Sequence, residues 1–262
     1  MIEKKIHYCW FWRNEKSDII KQCINSWKKH CPDFEIIEWN ESNFNVDICN
    51  FTKQAYKQKK WAYIADYARF YILYNQWWIY LDTDMFLYKD LTPLLNDDFF
   101  LWIQHFIKWE NIKLDKIRIA WGIIGMKKWH FLWKDFVNYY NNIKNTNIIV
   151  DRKFVIPTVI DKILKNRYKI KNENILQELD KWITIYPIEY FYAYDDVSKK
   201  EFKTNNTYSI HYWLWSWLTN KDRMKKYIFL KTIKILEILR IKKILFKFIK
   251  NILKLLKREK QW

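Results

Sequence analysis

The residues best suited to chemistry are Asp82 and Asp84, one residue apart at the end of the apolar run Ile79-Tyr80-Leu81. Two carboxylates at the end of a buried strand are costly to place unless they bind something cationic. In extended backbone the intervening Thr83 points away, so both acids can face one site. A divalent ion there would be held by hard oxygen ligands and by phosphate oxygens of a substrate. It would act as a Lewis acid, stabilising charge that builds on a departing phosphate. Asp also favours turns, so the pair taken alone is a weak signal and fits a solvated strand-end turn better than a catalytic site.

Two further sets of residues bear on that choice. Asp66 and Arg69 are three apart in a helical pattern and therefore share a face, upstream of the Asp pair. A carboxylate can accept hydrogen bonds from sugar hydroxyls, and an arginine fork can hold phosphate or carboxylate. By themselves they also fit a local ion pair worth about a few tenths of a kcal/mol. The third set is His211-Tyr212-Trp213-Leu214-Trp215-Ser216-Trp217. A neutral imidazole can complete a metal site begun by carboxylates, and a hydroxyl or indole N–H can donate to a phosphate oxygen. The bland reading is a packed aromatic cluster.

The elements that must position these residues alternate in type. Lys4–Trp10 reads as a first strand, and Asp18 caps a helix with Ile19, Ile20, Cys23, Ile24 and Trp27 at helical spacing. Phe34–Trp39 is a second strand, Lys53–Tyr74 one helix with Ala62, Ala65, Ala68 and Ile72 on one side, and Ile79–Leu81 a third strand. This order predicts an α/β domain with a mixed, mostly parallel central sheet, and ligands in such sheets sit beyond the carboxyl ends of the strands. Further on, the pattern predicts strands and loops over 97–130 and helices over Trp133–Asn142 and Thr158–Asn166. It predicts extended chain over Ile183–Pro187 and Glu189–Tyr192.

With those motifs in view, the block Tyr63–Tyr74 followed by Ile79–Asp84 resembles the sugar-binding region of the D-x-D glycosyltransferases related to the yeast Och1-type mannosyltransferases. It is similar also to the core of the clostridial glucosylating toxins. The opening Ile6–Phe11 and the closing His211–Trp217 share the resemblance, which spans nearly all of residues 4–217. It implies a GT-A type nucleotide-sugar-binding fold, Mn2+ or Mg2+, and transfer of a sugar from a UDP- or GDP-linked donor with retention of configuration. The acceptor it implies is a saccharide or lipid-linked saccharide in surface polysaccharide synthesis, such as capsule or lipopolysaccharide. Residue by residue, Trp10, with His7 beside it on the first strand, would lie at the nucleotide, while Asp66 and Arg69 would hold the donor sugar. Asp82 would contact ribose, sugar or the ion, Asp84 would ligate the metal with His211, and Ser216 and Trp217 would reach the diphosphate.

Charge divides the chain. The 262 residues carry a formal +18, and residues 221–262 hold 15 Lys/Arg against 3 Asp/Glu, leaving about +6 for the first 220. The expected organisation is a catalytic domain over 1–220 and a basic amphipathic helical tail over 221–262. In that tail Ile228, Ile235, Leu239, Leu245, Ile249, Ile252 and Leu256 recur among lysines. Such a tail fits a peripheral anchor on an anionic membrane surface, or a solvated helix packed on the domain. The start shows no secretion-signal pattern, and no uncharged apolar run reaches 18 residues. The expectation is a cytoplasmic protein, peripheral on the inner face of the membrane, with Cys9, Cys23, Cys31 and Cys49 as free thiols. A basic nucleic-acid-binding protein and a metal-dependent phosphotransferase or nuclease are the competing readings. No nucleic acid is expected as partner, because the first 220 residues are only mildly basic and carry no recognisable binding signature.

Two glycines against 17 tryptophans is an unusual balance. Trp12, Trp77, Trp78, Trp129, Trp182 and Trp215 fall where the resembling family has glycine, and Ala65 falls where it has serine. Glycine supplies positive φ or close backbone approach, which tryptophan cannot imitate cheaply. The hypothesis is that these are UGA codons of a lineage reading UGA as glycine. The coding DNA decides it, since UGG at codons 77 and 78 would remove the idea.

Overall fold

The computed structural model describes residues 4–11, 14–76, 78–105, 117–127, 130–143, 156–180, 183–195 and 200–214, with individual residues between 224 and 239. The chain divides into two compact units, Met1–Leu214 and Trp215–Trp262.

The first unit begins as the alternating pattern predicts, with β1 (Lys5–Cys9), α1 (Asp18–His30) and β2 (Glu35–Trp39). The long helix expected over Lys53–Tyr74 is instead two, α2 (Asn50–Lys57) and α3 (Trp61–Gln76). Lys59, at φ 55°, ends α2. The N–H of Lys60 bonds the carbonyl of Ala55 and that of Lys59 the carbonyl of Tyr56. This pair of bonds closes a helix with a left-handed residue, and it overrides a periodicity that runs on unbroken.

Next come β3 (Trp78–Leu81), β4 (Met85–Leu87), a single 3₁₀ turn, β5 (Phe99–His105) and β6 (Arg118–Met126). After them follow α4 (Phe131–Asn141), α5 (Ile156–Arg167), β7 (Gln177–Asp180), β8 (Ile183–Tyr186), α6 (Ile188–Phe191), β9 (Tyr194–Asp195), β10 (Lys200–Glu201) and β11 (Ser209–His211). The segment expected as extended over Glu189–Tyr192 is thus largely one helical turn. Pro187 sits at its N-cap, where its fixed φ suits a helix start.

Seven strands form one sheet in the order β2-β1-β3-β6-β5-β8-β7. β1 pairs parallel with β2 and β3, and β5 with β8, while β6 and β7 run against their neighbours. The mixed, mostly parallel sheet expected of a GT-A type fold is therefore present, with five strands pointing one way. Alternation along the strands builds a core on each face. Ile79 and Leu81 of β3 and Phe100 and Trp102 of β5 pack on the side of α1 and α6. Tyr80, Phe99, Leu101 and Ile103 pack with α3, α4 and α5 on the other side. α3 is buried beyond its alanine stripe, because Phe70 stacks on Phe136 of α4 at 4.4 Å and Tyr67 meets Tyr140 edge-on.

A side chain has no room at Gly125 of β6, where an added Cβ would overlap the Phe100 ring. Trp78 has ordinary strand backbone paired with Met126, and the non-glycine residues with positive φ among those described are Lys59 and Trp213. A demand for glycine at 78 therefore cannot come from φ. Trp12, Trp77, Trp129, Trp182 and Trp215 lie outside the described residues.

In the second unit the described residues are helical, and Met224, Ile228, Ile235 and Leu239 are 60%, 56%, 54% and 52% exposed. Their spacing of four, seven and four places them along one stripe. Among the described residues no helix is long and apolar enough to cross a membrane.

Candidate active site

The parallel register of β1 and β3, Ile6 with Ile79 and His7 with Tyr80, brings the carboxyl ends of both strands to the same edge. Asp82 leaves β3 there, its N–H bonded to the carbonyl of Gly122 at 2.6 Å, and a turn closed by the Met85 N–H on the Asp82 carbonyl leads into β4. β6 also restricts the side chain, since a Cβ at Gly122 would stand 3.2 Å from Asp82 Oδ2. This glycine leaves the Asp82 carboxylate the space it occupies.

Each Asp is drawn to its own base. Arg69 of α3 places Nη1 3.2 Å from Asp82 Oδ1 and donates from Nη2 to Asp66 Oδ1 at 3.2 Å. It also donates to the carbonyls of Ala65 and Trp121, and its guanidinium lies over the Tyr80 ring at 4.6 Å. With 4% of its side chain exposed, Arg69 spends most of its donors inside the protein. It clamps the two carboxylates, and its contact with Asp66 is the i,i+3 ion pair that their spacing allows. Burial raises the Asp82 carboxyl above the usual range, although Arg69 and His211 oppose it. Arg69 itself is raised, since Asp82, Tyr80 and Asp66 outweigh the effect of its burial.

Asp84 faces β11. Antiparallel pairing of β4 with β11 sets His211 opposite Met85, and His211 Nε2 lies 2.8 Å from Asp84 Oδ1. The Leu214 N–H donates to Asp84 Oδ2 at 2.9 Å, and the Tyr212 N–H to the Asp84 carbonyl. Between them Trp213 takes φ 52°, a left-handed conformation costly for a bulky residue, with its indole stacked on His211 at 4.5 Å. Although burial acts to raise the Asp84 carboxyl, His211 and the Leu214 N–H hold it below the usual range. His211 is raised, as the Asp84 and Asp82 charges overcome its burial.

The structure thus brings Asp66, Arg69, Asp82, Asp84 and His211 together, as the sequence reading required. Asp84 and His211 place a carboxylate and an imidazole in contact, two donor types that could contribute to holding Mn2+ or Mg2+, while the Asp82 carboxylate is turned onto Arg69. Among the described residues no group of three His, Cys, Asp or Glu side chains is placed to hold a metal ion.

Trp10 follows β1 at the same sheet edge, its N–H on the Trp39 carbonyl, its Nε1–H on Asn14 O, and Lys16 Nζ over its ring at 5.3 Å. His7 is fully buried within β1 and accepts at Nδ1 from Trp39 Nε1–H at 3.1 Å. Its ring also meets that of Trp39 at 6.1 Å between centroids, across the β1–β2 pair. Ser216 and Trp217 lie outside the described residues. Tyr192, whose hydroxyl lies 3.1 Å from His211 Nδ1, sits in an aromatic run with no spacing to single it out. Gly122 and the Leu214 N–H were missed because their contributions are made by backbone.

Residues 17–101, a span that takes in Asp66, Arg69, Asp82 and Asp84, match the family model described as a glycosyltransferase sugar-binding region containing a DXD motif. No curated protein matches the chain. Among solved structures it is similar to the PaToxG glycosyltransferase, at 18% identity and a TM-score of 0.44 over 63% of this chain and 69% of that one. It is similar also to a glycosyltransferase involved in glycosylation of the major capsid of PBCV-1, at 9% identity and a TM-score of 0.43 over 86% and 98%. An active-site mutant of LgtC scores 0.43 at 13% identity over 86% and 95%. Similarity at this level says nothing about substrate.

Burial raises the Asp66 carboxyl to about 7, against the pull of Arg69. Between about pH 4 and 7 the folded chain keeps a proton there that the unfolded chain has released. The contribution to stability is full at the acid end and is lost as pH rises toward 7. Asp66→Asn is expected to reduce the fall in Tm between pH 4 and 6 in thermal melts. An unchanged slope would assign that fall to other groups.

Proposed function

We propose that the chain moves a sugar from a UDP- or GDP-linked donor to a saccharide or lipid-linked acceptor, with retention of configuration and with Mn2+ or Mg2+ as cofactor. The observation that carries this reading is the Asp84–His211 contact at 2.8 Å beside the Arg69-clamped Asp82, all at the carboxyl ends of β1 and β3. Asp84, held below the usual carboxylate range, is ionised at neutral pH and so available as a hard oxygen ligand. A divalent ion bound there supplies Lewis acidity for the charge that develops on the departing diphosphate. Asp66 and Asp82, fixed by Arg69, present oxygens that accept hydrogen bonds from sugar or ribose hydroxyls. Trp10, at the same edge, offers an aromatic face to the nucleotide. Retention fits a same-face reaction in which the leaving phosphate takes the acceptor's proton.

The apolar stripe of Met224, Ile228, Ile235 and Leu239, with Lys225 and Lys231 beside it and a net +12 across residues 221–262, supports a second element of the reading. The tail anchors the enzyme peripherally on an anionic inner leaflet, where each basic residue near the surface contributes on the order of 1 kcal/mol. This location suits lipid-linked acceptors in surface polysaccharide synthesis.

Two measurements test the proposal. A panel of UDP- and GDP-sugars is expected to yield Mn2+-dependent release of nucleoside diphosphate, and Asp84→Ala to lower it by about 100-fold with circular dichroism unchanged. Equal turnover by the variant would refute the metal reading. In co-sedimentation the full chain is expected to bind acidic vesicles and a 1–220 truncation to stay in solution; equal binding would count against the anchor.

A further inference from the structure

Tyr192 follows α6 and is 4% exposed. Its ring packs edge-on against Trp213 at 4.7 Å and against His211 at 5.3 Å, and its hydroxyl lies 3.1 Å from His211 Nδ1. The His211 ring is thereby held at both nitrogens, by the Asp84 carboxylate at Nε2 and by a phenol at Nδ1.

These two partners differ in what they can do. An ionised carboxylate only accepts, so Nε2 carries its proton in the contact with Asp84, and a neutral His211 then accepts at Nδ1 from the Tyr192 hydroxyl. A metal ion on Nε2 needs the lone pair there. The proton must then sit on Nδ1, which becomes a donor and requires an acceptor in a buried place. A phenol can reverse its role, since the same oxygen donates in one state and accepts in the other. The proton changes nitrogen, and the number of protons on the pair is unchanged.

We propose that Tyr192 is a positioning residue that makes His211 competent as a metal ligand, by accepting its Nδ1–H when Nε2 binds the ion. This rests on the reading of His211 as a ligand. A buried ligand histidine whose other ring N–H lacks an acceptor binds its metal about 10- to 100-fold more weakly. Tyr192→Phe keeps the ring that packs on Trp213 and removes only the hydroxyl.

The test is a titration with Mn2+, following the electron paramagnetic resonance signal of the free ion, with UDP present and separately with GDP. It uses the full chain, Tyr192→Phe, His211→Ala and the double variant. The expected result is a loss of at least about tenfold in Mn2+ affinity for Tyr192→Phe, and no further loss when the same change is made in the His211→Ala background. Unaltered affinity in Tyr192→Phe overturns the proposal alone, as does a loss that persists without His211, which would mark general packing. An unaltered chain that binds no Mn2+, or binds it as well as His211→Ala does, overturns the ligand reading and this proposal together.

Discussion

The site depends on a buried cation. Arg69 ties Asp66, Asp82 and the carbonyl of Trp121 to α3, so one side chain joins a helix, the end of β3 and the middle of β6. Desolvating a guanidinium and two carboxyl groups together is costly, and it is sustained here because the guanidinium also bonds the Ala65 carbonyl and lies on Tyr80. Removing one member of such a set leaves a buried charge without its partner, a loss on the order of 3–5 kcal/mol. Residues that look like a substrate-binding group are thus also part of what keeps the first unit folded.

Asp84 is governed by different physics. Its partners come from β11 and the residues after it, more than 120 positions away, and they reach it because β4 and β11 pair in antiparallel register. Trp213 adopts a left-handed conformation between His211 and Leu214, and the bonds either side of it, from Tyr212 N–H and Leu214 N–H, both end on Asp84. The strain at Trp213 is offset by those bonds and by its stacking on His211. Two acids one residue apart therefore have separate environments, one paired with a permanent cation and one with an imidazole.

Much of this was legible in the chain itself. The strand and helix order through Leu81, the mostly parallel sheet and the helices near 131–141 and 156–167 follow from periodicity, while the grouping of Asp66, Arg69, Asp82, Asp84 and His211 follows from the resemblance that their motifs carry together. The misreadings have local causes. A left-handed Lys59 divides what reads as one helix, because periodicity does not register a single backbone reversal. Pro187 starts a helical turn in a stretch whose aromatic composition favours strand, and the packing of Phe191 on Phe100 and Trp102 decides in its favour.

The sequence by itself determined which acids, bases and aromatics are available at a strand end, because residue types and short spacings settle that much, and their joint resemblance to one family pointed to the class of chemistry. Only the tertiary structure decided how they divide the work: that Arg69 faces inward, that His7 packs on Trp39, and that Tyr192 stands behind His211. Those roles depend on where distant backbone carries each side chain and how much water it is denied. Neither quantity is encoded in the distance between two residues along the chain.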